Sequence, residues 1–95
     1  MAAYIIADVT VTDPAAMEEY RKHVPATLAP FGGRFIVRGG AHQTVEGDWR
    51  PNRLVILEFP TVERAREWWS CADYAPAKDI RHAAASTEMI LVEGL

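Results

Sequence analysis

The stretch YIIADVTV, residues 4–11, is apolar at both odd and even positions, so it lacks the alternation of a strand with one solvated face. Three further stretches share this character: FIV at 35–37, LVILEF at 54–59 and MILV at 89–92. A sheet built from such strands needs apolar cover on both faces. We therefore expect a layer of helices on one face and a second apolar surface on the other.

Two helix-like segments lie between these strands. The first begins at Asp13-Pro14, because an aspartate side chain can cap free amides and proline fits the first helical position. Charged residues such as Arg21 and Lys22 are expected on its outer side, and Pro25 predicts a kink or a break near His23-Val24. The buried stripe is predicted to consist of Met17, Tyr20, Val24, Leu28 and Phe31.

The second helical region is predicted in two pieces. Thr61 can cap a helix that carries Trp68 on its apolar side. Pro76 forbids simple continuation, so a separate helical turn is expected from about Ala77 to Ala84.

The resulting order, strand, helix, strand, strand, helix, strand, predicts a ferredoxin-like α+β fold with a four-stranded antiparallel sheet. Right-handed crossovers place both helices on one side of that sheet. With 95 residues, the chain is expected to form a single domain over residues 1–95. Since two helices shield one face only, the bare face is expected to pack against the sheet of a second copy, which gives a homodimer.

Composition narrows the classes of function. A formal net charge of −3 provides no basic field for a nucleic acid. No apolar run approaches the ~20 residues that span a bilayer, and no signal segment precedes the first strand, so a cytoplasmic location without membrane contact is expected. The single cysteine, Cys71, excludes an intramolecular disulfide.

The connection between the second and third strands is long for a hairpin. It runs from about Gly40 to Arg53, and Thr44-Val45-Glu46 within it is predicted to form a short extra strand. Loops of this length and composition often carry function.

Arg38 and Arg53 are expected at facing ends of adjacent strands, with Glu46 in the loop between them. Two interpretations stay open. The guanidinium groups either hold Glu46 in an ion pair that fixes the loop, or bind the carboxylate of a ligand.

Other side chains are candidates for a small-molecule site. Trp68 and Tyr74 offer flat walls for a ligand, or ordinary core packing. Glu46 and His42 are candidate proton acceptors. Asp8 is a further candidate, because it lies inside an apolar strand, as Glu58 does; a salt bridge or solvation at the sheet edge is the alternative for both carboxylates.

Metal and cofactor chemistry finds little support. His23, His42 and His82 each lack a second histidine or cysteine at metal-ligand spacing. Gly39-Gly40 is not followed by the helix that a phosphate cradle needs. We predict no metal and no cofactor.

Several short motifs together resemble the family known as domain of unknown function 1330. They span nearly the whole chain: Arg38-Gly39-Gly40, Glu46-Gly47, Arg53, VILEFP at 55–60, Ala65, Trp68, Tyr74, Arg81 and Gly94. The resemblance implies the dimeric α/β-barrel superfamily, whose relatives include cofactor-free monooxygenases, small-ring isomerases and haem-handling enzymes. It implies pocket positions, Arg81 among them, but no catalytic assignment.

Two functional hypotheses follow. In the first, the protein binds a small carboxylated or carbonyl-bearing metabolite, with or without cofactor-independent chemistry on it. Its ligand-binding residues would be Arg38, Arg53, Trp68, Tyr74 and Arg81. In the second, it is a non-catalytic ligand-binding or structural dimer module.

Overall fold

The computed structural model describes residues 1–95 and contains one sheet with helices along the chain between its strands. Its regular elements are β1 (Ala3–Val11), α1 (Pro14–Leu28), a 3-10 turn (Ala29–Phe31), β2 (Arg34–Arg38), β3 (Leu54–Phe59), α2 (Val62–Ser70), α3 (Ala75–Ala84) and β4 (Ala85–Glu93). The predicted order of elements is confirmed, with the second helical region divided as expected. None of the helices is long and apolar enough to cross a membrane.

The four strands form an antiparallel sheet in the order β2-β3-β1-β4. This is the ferredoxin-like arrangement. In β1 the buried positions alternate, and Ile5 and Ala7 face the helices. Their cross-strand partners Leu57 and Met89 share that face, so the core lies between helices and sheet.

The helix starts follow from their caps. The side chain of Asp13 accepts a hydrogen bond from the Ala16 amide at 3.2 Å, and that of Thr61 accepts one from the Arg64 amide at 3.1 Å. Of the kink or break expected near His23-Val24, the break does not occur, because α1 continues through Pro25 to Leu28. One missing hydrogen bond is tolerated where buried side chains hold the helix on both sides of the proline, as Val24 and Leu28 do here.

A stack of aromatic rings occupies the centre of the core. The ring centroid of Trp68 lies 5.6 Å from that of Phe59 and 4.0 Å from that of Tyr74, and all three side chains are fully buried. The indole N–H of Trp68 donates to the hydroxyl of Thr27 at 3.0 Å, and that hydroxyl donates to the Val24 carbonyl. The buried indole is therefore tied to α1.

The opposite face of the sheet has no helix on it. In its middle, Ile6 stands beside Ile56 of β3 and Ile90 of β4. Ile90 is 61% exposed. Glu58 of this face is paired with Arg34 of β2 at 2.6 Å, the salt bridge weighed above as an alternative to proton transfer. The face is thus apolar in its centre, with Glu58 toward one end of the strands and Asp8 toward the other.

The Thr27 hydroxyl should contribute to stability through Trp68. Replacing Thr27 with valine keeps the shape but leaves a buried indole N–H without an acceptor, at a cost of about 1–3 kcal/mol. The melting temperature should fall by about 4–8 °C for each kcal/mol of stability lost. Thr27→Ser, which keeps the hydroxyl, is the matched control, and equal melting temperatures for Thr27→Val and the parent would contradict this role.

Candidate functional site

A cavity lies between the helix layer and the sheet. Most of its lining is apolar, with Ala7 and Leu57 on the sheet side and Val24 on α1. Its volume is about 40 Å³, room for a few water molecules. The charged part of the lining consists of four arginines: Arg21, Arg38, Arg53 and Arg81.

The arginines reach the cavity from separate parts of the chain. Arg21 lies on α1, Arg38 ends β2, Arg53 directly precedes β3, and Arg81 lies on α3. The expectation that Arg38 and Arg53 stand at facing strand ends is confirmed, because their neighbours pair through the backbone there. The fold therefore gathers onto one cavity cations that are far apart in sequence.

Arg21 was missed by sequence reasoning, which placed it on the outer side of α1. In the structure its side chain is mostly covered and its Nε is buried. The spacing contains the information, because residues 17, 21, 24 and 28 recur at intervals of three and four and lie on one helix face. Arg21 was assigned to the outer side of α1 because it is charged, although its spacing places it on the buried face.

Arg38 is oriented by two contacts that involve no carboxylate. Its guanidinium carbon lies 4.2 Å from the centre of the Phe35 ring, and its Nη2 donates to the backbone carbonyl of Arg21 at 3.3 Å. In a regular helix that carbonyl would accept the amide N–H four residues later. Residue 25 is proline and has no N–H, so Pro25 leaves the Arg21 carbonyl free for Arg38.

Arg53 lies against the backbone of Gly39. A Cβ at Gly39 would stand 2.8 Å from the Arg53 Nε, and the φ of Gly39 is +73°, so both space and backbone favour glycine at this position. Burial lowers the pKa of Arg53, and the charges of Arg21 and Arg38 lower it further. The charges of both Arg21 and Arg38 therefore disfavour the charged form of Arg53.

Arg81 is the only buried charged residue of the chain, with 4% of its surface exposed. Its Nε has no hydrogen-bond acceptor in the protein. The neighbouring Tyr20 hydroxyl shares a 2.8 Å hydrogen bond with that of Tyr74. Burial raises the pKa of Tyr20, Tyr74 adds to the rise, and Arg81 opposes it, so Tyr20 stays a neutral hydroxyl at physiological pH.

Charge compensation at the cavity is incomplete. Arg21 pairs with Glu18 at 2.5 Å, whereas Arg38, Arg53 and Arg81 take part in no salt bridge. The ion pair considered between Glu46 and Arg38 or Arg53 does not form, since Glu46 is exposed on the loop. Of the two interpretations weighed for the arginines, the ion pair with Glu46 is therefore wrong.

The loop from Gly39 to Arg53 is held by side-chain contacts rather than by the extra strand predicted for residues 44–46, which is absent. The Thr44 hydroxyl donates to the Trp49 carbonyl across the loop instead. His42 contacts the Pro51 carbonyl at 2.9 Å through Nε2. Neither His42 nor Glu46 lines the arginine cavity.

Asp8 lies on the helix-free face of the sheet, away from the cavity. Its carboxylate accepts hydrogen bonds from the Trp49 indole at 3.2 Å and from the Asn52 amide at 3.0 Å. These contacts satisfy the carboxylate and anchor the loop to β1. The structure therefore does not bring the three proposed proton acceptors to the arginines.

The two aromatic candidates divide between wall and core. Trp68 contributes to the cavity lining, while Tyr74 is not part of the lining and lies behind it, in contact with Trp68 and hydrogen-bonded to Tyr20. Both are fully buried. No group of three or more His, Cys, Asp or Glu side chains is placed to hold a metal ion.

Comparison with known families assigns the chain. The model of a family described as domain of unknown function (DUF1330) matches residues 2–95. The protein belongs to the DUF1330 family. No curated protein sequence matches it.

Solved structures share the fold at low sequence identity. A protein of unknown function from Rhodopseudomonas palustris is 20% identical with a TM-score of 0.77, and the match covers 99% of this chain and 82% of that one. The cofactor-independent oxygenase SnoaB from Streptomyces nogalater is 15% identical, with a TM-score of 0.67 and coverage of 99% and 93%. A dimeric ferredoxin-like protein of unknown function from Jannaschia sp. CCS1 is 12% identical, with a TM-score of 0.65 and coverage of 99% and 100%.

Pro25 should control the position of Arg38 in this DUF1330 protein. In Pro25→Ala the new amide N–H competes for the Arg21 carbonyl, so the Arg38 guanidinium should lose its acceptor and become more mobile. The side-chain N–H signals of Arg38 in NMR spectra report this directly. Pro30→Ala, at a proline in the exposed 3-10 turn, is the control; an unchanged Arg38 signal in Pro25→Ala would refute the coupling.

Proposed function

We propose that this protein binds a small carboxylated or carbonyl-bearing metabolite in the cavity between its helices and its sheet. The observation that carries the proposal is the presence of Arg38, Arg53 and Arg81 on one apolar cavity without a carboxylate partner. A guanidinium group presents a rigid fork of N–H donors that matches a carboxylate. An apolar cavity with a few convergent polar groups is the usual form of a small-molecule site.

Cofactor-independent chemistry on that ligand is the enzymatic form of the proposal. A fold shared with the oxygenase SnoaB supports it by analogy. The cavity offers Arg81 and the neutral Tyr20 hydroxyl as donors that would stabilise negative charge developing on a carbonyl oxygen.

Binding without catalysis is the second candidate, and the position of the acid–base groups favours it. Glu46, His42 and Asp8 all lie outside the cavity. Glu18, the carboxylate nearest to the arginines, is occupied by Arg21 and largely exposed. A site of this composition can hold an anion, and its lining contains no carboxylate or histidine to accept a proton.

Thermal shift with small carboxylates tests the site. A ligand that binds only the folded state raises the melting temperature by mass action, and Arg53→Met should abolish that shift. Arg66→Met, at an exposed arginine of α2 outside this cavity, is the matched control. Because the cavity is small, compact carboxylates should act at lower concentration than cyclic ones, which require it to widen further. Shifts that survive Arg53→Met would place the ligand elsewhere.

We also propose that a second copy of the chain covers the helix-free face of the sheet. Ile6, Ile56 and Ile90 form an apolar centre there, and such a face on a single small chain is open to water. The Jannaschia protein of the same fold is dimeric. Two such faces packed together form the interior of a two-sheet sandwich.

A charge on this face should separate the copies. Ile90→Lys places a cation where the monomer exposes most of the side chain, so it should cost the monomer little and the dimer much. Ala26→Lys adds the same charge on the exposed side of α1 and serves as the control. Sedimentation velocity should find a dimer for the parent and the control and a monomer for Ile90→Lys. A parent that sediments as a monomer at micromolar concentration would refute the dimer.

A further inference from the structure

The arginines of the cavity fall into two groups. Arg38 donates a hydrogen bond to the Arg21 carbonyl, and the charges of Arg21 and Arg38 both lower the pKa of Arg53. These three arginines therefore form one group. Arg81 acts instead on the Tyr20 hydroxyl. It approaches from α3, which packs against α1 and β4.

The strands beneath the cavity show that the two groups are attached to different sides of the fold. Arg38 stands opposite Val55 of β3, which stands opposite Ala7 of β1, which stands opposite Met89 of β4. Strands are spaced about 4.8 Å apart, so the backbones of Arg38 and Met89 are separated by roughly 14 Å across the sheet. Arg81 enters from the β4 side, and the first group enters largely from the β2 and β3 side.

Each group contains a buried N–H donor that has no hydrogen-bond acceptor in the protein. The Nε atoms of Arg21 and Arg81 are both buried, and neither has an acceptor in the protein. Buried N–H groups are nearly always paired, and a cationic one without a partner costs free energy. Glu18 neutralises one of the three charges in the first group, and no carboxylate neutralises Arg81.

We infer that the ligand is a short dicarboxylate, with one carboxylate among Arg21, Arg38 and Arg53 and the other at Arg81. This inference rests on the proposed function and specifies the class of its ligand. One negative charge leaves one arginine group uncompensated, whereas two separated charges serve both groups. A cavity with room for a few water molecules has to widen even for a four-carbon ligand, so we expect a chain of only a few carbon atoms between the carboxylates, as in malonate, succinate or glutarate.

Isothermal titration of the full chain with succinate and butyrate at neutral pH tests the inference. The two ligands have the same number of carbon atoms and differ by one carboxylate. Succinate should bind at least about tenfold more tightly, the effect of one added charge-assisted contact to arginine. In Arg81→Met the two affinities should become equal within about twofold, because butyrate needs only the first group.

Control variants and a second anion separate the outcomes. Arg66→Met should leave both affinities unchanged, and Arg38→Met should weaken both ligands. Circular dichroism shows whether Arg81→Met folds. If it does not, the affinities of succinate and butyrate for the parent and for Arg38→Met still test the dicarboxylate. Equal binding of succinate and butyrate by the parent would overturn the dicarboxylate while leaving the proposed function intact. Inorganic phosphate that binds more tightly than succinate and ignores Arg81→Met would also overturn it, and binding of neither carboxylate would overturn both proposals.

Discussion

Packing among the aromatic rings of Phe59, Trp68 and Tyr74 holds the helices against the sheet. It joins β3 to α2 and to the start of α3, and it holds α1 through hydrogen bonds from Trp68 to Thr27 and between the hydroxyls of Tyr74 and Tyr20. Helix α1 carries Arg21 and covers the cavity. The aromatic rings that hold α1 therefore also help to set its position above the sheet. Packing in the core thereby fixes the geometry of the site.

The cavity is lined by positive charges although the protein as a whole carries a net negative charge. The chain has 13 acidic and 10 basic residues, yet four of those basic residues converge on one cavity and meet a single paired carboxylate. Desolvated cations without partners reduce stability, and apolar residues of similar size often serve a core at least as well. The anion proposed as the ligand would compensate these charges when it binds.

The sequence predicts the architecture well because the determinants of the fold are local and repeated. The order of the apolar strands, an Asp-Pro helix start and Pro76 in the first turn of α3 have the expected consequences for the order and division of the elements. The errors have a common cause, since each concerns a competition that only the folded chain decides. Buried neighbours carry α1 through Pro25, and Asp8 anchors the loop in which a Glu46 ion pair was considered. Arg38 and Arg53 were found from their strand-end positions, whereas Arg21 needed its helix spacing to be weighted above its charge.

The loop from Gly39 to Arg53 connects the two faces of the sheet. Its ends are flanked by Arg38 and Arg53, which face the cavity, while its middle is tied through Trp49 and Asn52 to Asp8 on the helix-free face. In the proposed dimer, a second sheet packed on that face lies next to Asp8 and therefore next to the anchor of the loop. Trp49 and Asn52 belong to the same loop whose backbone leads into Arg53. The proposed dimer interface and the proposed ligand site would thus share one segment of the chain, which is the physical requirement for coupling between them.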